Sequence, residues 1–259
     1  MLRALTVLLG LIGCTCWLFG CSDSVTGPER LNKSRFPLKV GNQWTYAVSA
    51  ERTVLSDQQV DIHEQWKTRV VWEIEAQEEV LGVMAFRINT TYRFLSGPDS
   101  GKTVSGQTWF AMKGDTLKAV ASENIGEFDP LVAQLFKSSH EAETTQDPWN
   151  VNVLVFPLEV GNSWDFTRGL FPADTKTVAA IDKINTTAGE FQAFRVVREI
   201  TAPDIQVITK QWFTSVGVVE VEDDETFVMQ AIDAEGNVLD RTITVKTNAS
   251  VQLESYDLK

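Results

Sequence analysis

The sequence predicts a mainly β fold of two tandem antiparallel β-meander repeats, with curved sheets and one short connecting helix. Three observations lead to this prediction: apolar and polar residues alternate with a period of two, turn-forming residues separate the alternating runs, and an eleven-residue element occurs twice. The content of 43% apolar and 10% aromatic residues is enough for a packed core.

The repeated element opens each predicted repeat. Residues 36–46 read FPLKVGNQWTY and residues 156–166 read FPLEVGNSWDF, so seven of the eleven positions are identical. Proline favours an extended preceding residue, and the Gly-Asn pair suits a tight turn. The element therefore predicts a turn that starts a sheet. Further matches follow in the same order: residues 71–75 with 178–182, 85–88 with 193–196, and 109–110 with 212–213.

The alternation is clearest in the first repeat. One face of each of two predicted strands collects the apolar residues, which are Val70, Trp72, Ile74 and Ala76 in one strand and Phe86, Ile88, Thr90, Tyr92 and Phe94 in the next. Breakers at residues 96–101, 113–115 and 234–237 predict turns between neighbouring strands. The connecting helix is predicted from Asp129, as N-cap, to about Lys137, with Pro130 in its first turn.

The N-terminus is typical of a secretory signal peptide. A charged start at residues 1–3 precedes an apolar run from Ala4 to Phe19, which is short for a membrane span. We therefore expect the rest of the chain to be exported. The three cysteines are Cys14, Cys16 and Cys21, so cleavage before Cys21 leaves one cysteine and allows no intramolecular disulfide.

Residues 18–21, Leu-Phe-Gly-Cys, resemble the lipobox of bacterial lipoproteins, whose cysteine is acylated and becomes the new N-terminus. Residues 11–14 are a competing match, but cleavage before Cys14 would leave an apolar mature start, whereas Cys21 precedes a polar tether. The resemblance implies that Cys21 is acylated and anchors the chain in a lipid bilayer. In some bacteria an Asp after this cysteine retains the lipoprotein at the inner membrane. The Ser22 found here implies the outer membrane, with the chain facing the periplasm or the surface.

The repeated element is also similar to one near the mature start of many uncharacterised bacterial lipoproteins, in which a Trp-Phe pair and a Gly-Val segment follow downstream. Residues 211–219 fit that second feature. This resemblance implies membership of the group and supplies no catalytic residues. The patterns along the chain predict five segments: 1–20 signal peptide; 21–33 lipidated Cys and flexible tether; 34–125 repeat 1; 126–150 helical connector; and 151–259 repeat 2 with C-terminal strands.

Composition and motifs argue against several functions. A formal net charge of -12 disfavours nucleic acid, because binding to phosphates needs clustered Lys and Arg. No Gly-x-Ser-x-Gly motif occurs, and the two histidines, His63 and His140, lack the spacing of a zinc site. The acidic residues at 220–225 and 233–237 suit either weak calcium ligation or solvated turns. We predict no catalysis, no cofactor and no metal.

Four aromatic residues of the repeated element are the candidate ligand-lining side chains: Trp44, Tyr46, Trp164 and Phe166. They suit core anchors as well as the walls of a cavity, and the pattern leaves both open. We predict an envelope lipoprotein that acts as a non-catalytic binding or structural module for an unknown protein or glycan. The alternative is a periplasmic carrier of an apolar or lipid ligand in a curved-sheet cavity.

Overall fold

A computed structural model of the chain describes residues 28–57, 59–123, 151–166, 174–232 and 238–259. Its short helix is α1 (Pro28–Ser34). The first six strands are β1 (Gln43–Ser56), β2 (Gln59–Val80), β3 (Val83–Ser96), β4 (Thr103–Lys113), β5 (Thr116–Glu123) and β6 (Val151–Val155). The other six are β7 (Ser163–Asp165), β8 (Thr175–Thr186), β9 (Gly189–Ala202), β10 (Ile205–Thr214), β11 (Gly217–Ile232) and β12 (Val238–Asp257).

All twelve strands form one antiparallel sheet in the order β6-β5-β4-β3-β2-β1-β12-β11-β10-β9-β8-β7. The predicted mainly β fold is confirmed. The first and the last strand pair along fourteen positions of β1, from Gln43 opposite Asp257 to Ser56 opposite Ile243, and so join the two halves of the chain. The structure thereby answers a question that the sequence left open, since the halves share one continuous sheet. β6 lies beside β5, at the edge of the first half.

The sheet curls until its two edge strands meet. The backbone N–H of Asn152 in β6 donates to the carbonyl of Phe166, 2.8 Å away, just after β7. The Asn152 side chain donates to the Asp165 carbonyl at 2.9 Å, and the Trp164 indole donates to the Asn152 carbonyl at 3.0 Å. These bonds bring the two edges together without a full ladder of strand pairing.

The two FPL elements form matching turns, as predicted. The N–H groups of Gly41 and Gly161 donate at 2.8 Å to the carbonyls of Ile74 and Val178, and both glycines have a positive φ, of 89° and 97°. Only glycine adopts this conformation readily. The bonds align Ile74 with Val178, which corrects our sequence alignment of Val71 with Val178.

The sheet has two ends with different coverings. We call one end the helix end, because it holds α1. It also holds the FPL turns and the turns at residues 81–82, 114–115, 187–188 and 215–216. We call the opposite end the far end; it holds the turns at residues 97–102 and 203–204. Asn32 of α1 exchanges two hydrogen bonds of 2.8 and 2.7 Å with the backbone of Leu158. Leu31 is fully buried. Residues 28–33, which we predicted as part of a flexible tether, are thus helical and packed, because Leu31 has an apolar site to fill.

One main hydrophobic core runs through the interior and includes most of the inward residues predicted from the alternation. Val70, Trp72, Ile74, Ile88 and Tyr92 are each at most 3% exposed. The predicted signal peptide, Cys21 and the connecting helix at 129–137 lie outside the described residues. Among the residues that are described, no helix is long and apolar enough to cross a membrane.

Candidate functional site

Trp44 and Tyr46 begin strand β1 and are buried, with 1% and 3% of their surfaces exposed. The Trp44 indole donates to the carbonyl of Val216 at 2.5 Å, and the Tyr46 hydroxyl donates to the carbonyl of Val218 at 3.2 Å. Both acceptors belong to the β10–β11 hairpin, so the pair ties the first half of the chain to the second. The polar atoms of these rings are occupied by the protein itself.

Trp164 and Phe166 lie where the two sheet edges meet. Trp164 is half-buried, and Phe166 is 1% exposed. The Phe166 ring has Lys176 Nζ at 4.4 Å and the Arg198 guanidinium carbon at 4.5 Å from its centroid. The faces of an aromatic ring are electron-rich, so the Phe166 ring attracts both positively charged groups. The four predicted aromatic residues therefore serve two separate parts of the structure.

A buried charged cluster surrounds Phe166. Arg198 donates two hydrogen bonds to Asp174, at 2.7 and 3.0 Å, and both side chains are at most 5% exposed. Lys176 Nζ donates to Gln211 Oε1 at 2.8 Å. The pKa of Lys176 is lowered to about 7: burial is the largest cause, the nearby Arg198 guanidinium also lowers it, and the Asp174 carboxylate raises it.

Sequence reasoning missed this cluster, although a signal for it was present. Lys176 lies two residues before the inward-facing Val178, and Arg198 lies two residues after the inward-facing Val196. In a strand, residues two apart share a face. Both cations therefore fall on the core side of their strands. Lys176 Nζ also donates to the Val153 carbonyl of β6 at 3.5 Å, which links β8 to the opposite sheet edge, and Lys176 is 3% exposed, so the arrangement is one of internal support.

The outer surface has a concave region between β1, β2 and β12, which we call the outer cavity. Its volume is about 370 Å³, and its lining residues are Ser49, Ala50, Glu51, Gln65, Trp66, Lys67, Ser96, Asn248, Ala249 and Ser250. Hydroxyl, amide and charged side chains predominate in this lining. Ligand pockets commonly start at about 300 Å³, so the outer cavity is large enough for a sugar ring or a peptide segment.

The outer cavity is held in shape by local contacts. Gln65 Nε2 donates to Glu51 Oε2 at 3.2 Å, and the Lys67 N–H donates to Ser96 Oγ at 3.0 Å. Gly97 has a φ of +92°, and a Cβ added there would lie 2.5 Å from Cδ1 of Trp66. The β3–β4 loop can therefore lie against the Trp66 ring only because residue 97 has no side chain.

The acidic run on β11 does not form a cation site. Glu222 pairs with Lys210 at 2.9 Å, and Asp223 accepts a hydrogen bond of 3.0 Å from Thr209. Neighbouring residues of a strand point to opposite faces, which separates these carboxylates. Across the described ranges, no group of three His, Cys, Asp or Glu side chains could hold a metal ion. His63 is exposed on β2, whereas residues 233–237 and His140 lie outside the described part.

No protein-family model matches the chain, and no curated protein matches its sequence. Among solved structures, a Bacteroides fragilis protein described as exported with a YmcC-like fold is 14% identical, with a TM-score of 0.40 over 86% of this chain and 98% of its own. A Parabacteroides distasonis protein described as a lipoprotein is 12% identical, with a TM-score of 0.31 over 86% of this chain and 97% of its own. Lipovitellin is 8% identical, with a TM-score of 0.37 over 85% of this chain and 26% of its own. TM-scores this low carry no argument about function, which must come from the chain's own residues.

Proposed function

We propose that the chain is an exported envelope lipoprotein, anchored at an outer membrane by acylated Cys21, whose curved sheet is a non-catalytic binding module. The observation that carries the binding role is the outer cavity. It exposes hydroxyls, amides, one carboxylate and one ammonium group on a rigid sheet surface. Such groups form directional hydrogen bonds with sugar hydroxyls or with a peptide backbone. The expected partner is therefore polar, either a glycan or a protein surface.

The aromatic residues support this proposal by what they already contact. The Trp44 indole and the Tyr46 hydroxyl already donate hydrogen bonds to backbone carbonyls, and Lys176 and Arg198 lie over the Phe166 ring. These rings act as anchors of the sheet. Binding through the outer face leaves that packing intact, because the outer cavity lies on strands that are already fully paired.

The binding role is tested by placing a photo-crosslinking amino acid at Ser49, in the outer cavity, and at Gln206, an exposed residue of β10, as the matched control. Irradiation of cells is expected to give one adduct of defined mass at Ser49 and none at Gln206. Protease or glycosidase digestion then identifies the partner as protein or glycan. Equal adducts at both positions, or none at either, would contradict the proposal.

The carrier of an apolar or lipid ligand is the second candidate, and one observation favours it. Trp72 Nε1 and Thr108 Oγ1 are buried on strands of the first half and have no hydrogen-bond partner. A buried polar atom without a partner costs about 1–3 kcal/mol, which a ligand carbonyl or a water molecule would offset. An apolar molecule bound at a ratio of one per chain in native mass spectrometry would favour the carrier over the binding module.

We also propose that the two halves of the chain are copies of one unit. Besides the matching FPL turns, each half has a tryptophan that donates to a carboxylate, at 2.7 and 2.8 Å. An arginine pairs with that same carboxylate in each half, at 3.3 and 3.4 Å. The two sets are Trp109, Glu78 and Arg87 in the first half and Trp212, Asp182 and Arg195 in the second.

A further inference from the structure

Two valines of the FPL turns have no role in the core. Val40 and Val160 occupy the same position of the two elements, and they are 46% and 57% exposed. The other identical residues of the element have evident tasks, such as the glycine that makes the turn and the tryptophan that enters the interior. The same position of both turns therefore offers an apolar side chain to a contact outside the described structure.

The β2–β3 hairpin presents apolar side chains at the same end. Leu81 and Met84 are 62% and 54% exposed at its tip. Leu81 also has a φ of +52°, a conformation that β-hairpin turns usually give to Asn, Asp or Gly. Its side chain is therefore held outward at an unfavourable backbone position and packs little against the described part of the chain.

The start of the chain decides what covers these side chains. Residue 28 begins α1 at the helix end, and Cys21 lies seven residues earlier. An extended chain spans at most about 3.6 Å per residue, so acyl chains on Cys21 enter a bilayer within about 25 Å of Pro28. Pro28 lies at the helix end, so this end is held near the membrane. The far end also exposes apolar residues, such as Val60 at 61% and Leu95 at 50%, but no anchor lies near them.

We propose that the helix end is a membrane-contact surface, in which Val40, Val160 and the Leu81–Met84 tip enter the lipid interface. This inference rests on the proposed acylation of Cys21. The charges next to the two valines have opposite signs, Lys39 beside Val40 and Glu159 beside Val160, so these two neighbours add no net charge to the contact. Apolar side chains at an interface are stabilised when they lie among the outer parts of the acyl chains. The surface fixes the orientation of the sheet and directs the far end away from the bilayer.

The test uses the acylated full-length mature chain with single substitutions Val40→Cys, Leu81→Cys and Val160→Cys. The matched controls are Val60→Cys and Leu95→Cys, which lie at the far end with similar exposure. Each new cysteine receives an environment-sensitive fluorophore, and Cys21 does not react because its sulfur is acylated. The chains are reconstituted into phosphatidylcholine vesicles whose acyl chains carry bromine, which quenches the fluorophore only on contact.

We expect a blue shift and a loss of fluorescence at positions 40, 81 and 160, with neither change at positions 60 and 95. Equal quenching at both ends, or quenching at the far end alone, would overturn the membrane-contact surface. Mass spectrometry of the same samples separates this result from the proposed function. An acylated chain without quenching at the helix end refutes only the contact surface, whereas a chain without acyl groups on Cys21 refutes both.

Discussion

Lys176→Met tests whether a buried lysine of lowered pKa destabilises the fold. The pKa of Lys176 falls from 10.5 to about 7 in the folded protein. The unfolded chain therefore binds the Lys176 proton more tightly than the folded protein does. As a result, the lowered pKa reduces the free energy of unfolding at every pH below 10.5. The difference in pKa corresponds to an unfavourable term of about 5 kcal/mol that is fully present below pH 7 and vanishes above pH 10.5.

Methionine fills a similar volume and carries no charge. It leaves Gln211 Oε1 without its donor, which costs about 1–3 kcal/mol. The variant should therefore exceed the wild-type free energy of unfolding by about 2 kcal/mol at pH 7. From pH 7 to pH 9.5 the wild-type protein regains part of the lost stability, because releasing the Lys176 proton on folding costs less free energy as the pH rises toward 10.5. The advantage of the variant should fall by about 3 kcal/mol over this range.

The assay is urea denaturation of both proteins at several pH values between 7 and 9.5. The two proteins differ only at residue 176, so the difference between their curves reports the effect of Lys176. The control is Lys183→Met, which changes an exposed lysine on the same strand, where we expect no pH-dependent difference. Parallel stability curves for the Lys176→Met variant and the wild type would refute the reasoning.

Three further substitutions test other contacts by urea denaturation. Gly97→Ala should destabilise the fold by about 1–3 kcal/mol, since its Cβ would overlap the Trp66 ring; an unchanged midpoint would show that the loop can move. Trp44→Phe should lose about 1–3 kcal/mol, because a buried carbonyl of the β10–β11 hairpin then lacks its donor, and a smaller loss would mean that water replaces the indole. Arg198→Met should cost about 3–5 kcal/mol, because it removes the guanidinium that makes two hydrogen bonds with the buried Asp174 carboxylate. An unchanged free energy of unfolding for this variant would contradict the supporting role of the Arg198–Asp174 ion pair.

The local features of the fold could be predicted from the sequence because they depend on neighbouring residues. Alternation over residues 70–76 and 86–94 identified two strands and their buried faces. The Gly-Asn pair after the FPL run identified a turn before a strand, and Gly41 and Gly161 do adopt positive φ there. Each of these inferences requires only side-chain pattern and backbone preference within a short window.

The long-range features could not be predicted, because pairing between distant strands leaves no local pattern. Gln43 and Asp257 are opposite each other across the β1–β12 pair although they are 214 residues apart in sequence. β-Bulges also leave no local pattern in the sequence. The pairing shifts by one residue after Ile74 in β2 and after Val178 in β8, at equivalent positions of the two halves. The comparison by residue type alone paired Val71 with Val178 and was three positions out of register.

The candidate sites show a similar division. The aromatic residues of the repeated element could be found by eye, but their contacts with Val216, Val218 and the Phe166 cluster depend on strands far along the chain. The outer cavity was not predictable, because its lining comes from β1, β2, β12 and the end of β3 and consists mostly of common polar residues. Such residues form a candidate site only when the folded sheet brings them together.

The mass of the intact mature protein, extracted from bacterial membranes and measured under native conditions, tests the central claim most directly. The account predicts a chain that begins at Cys21, carries acyl groups on that residue and holds no apolar molecule in its interior. A chain that begins elsewhere or lacks acyl groups would contradict the envelope anchor. A single bound apolar molecule on every chain would contradict the packed binding module and establish the carrier in its place.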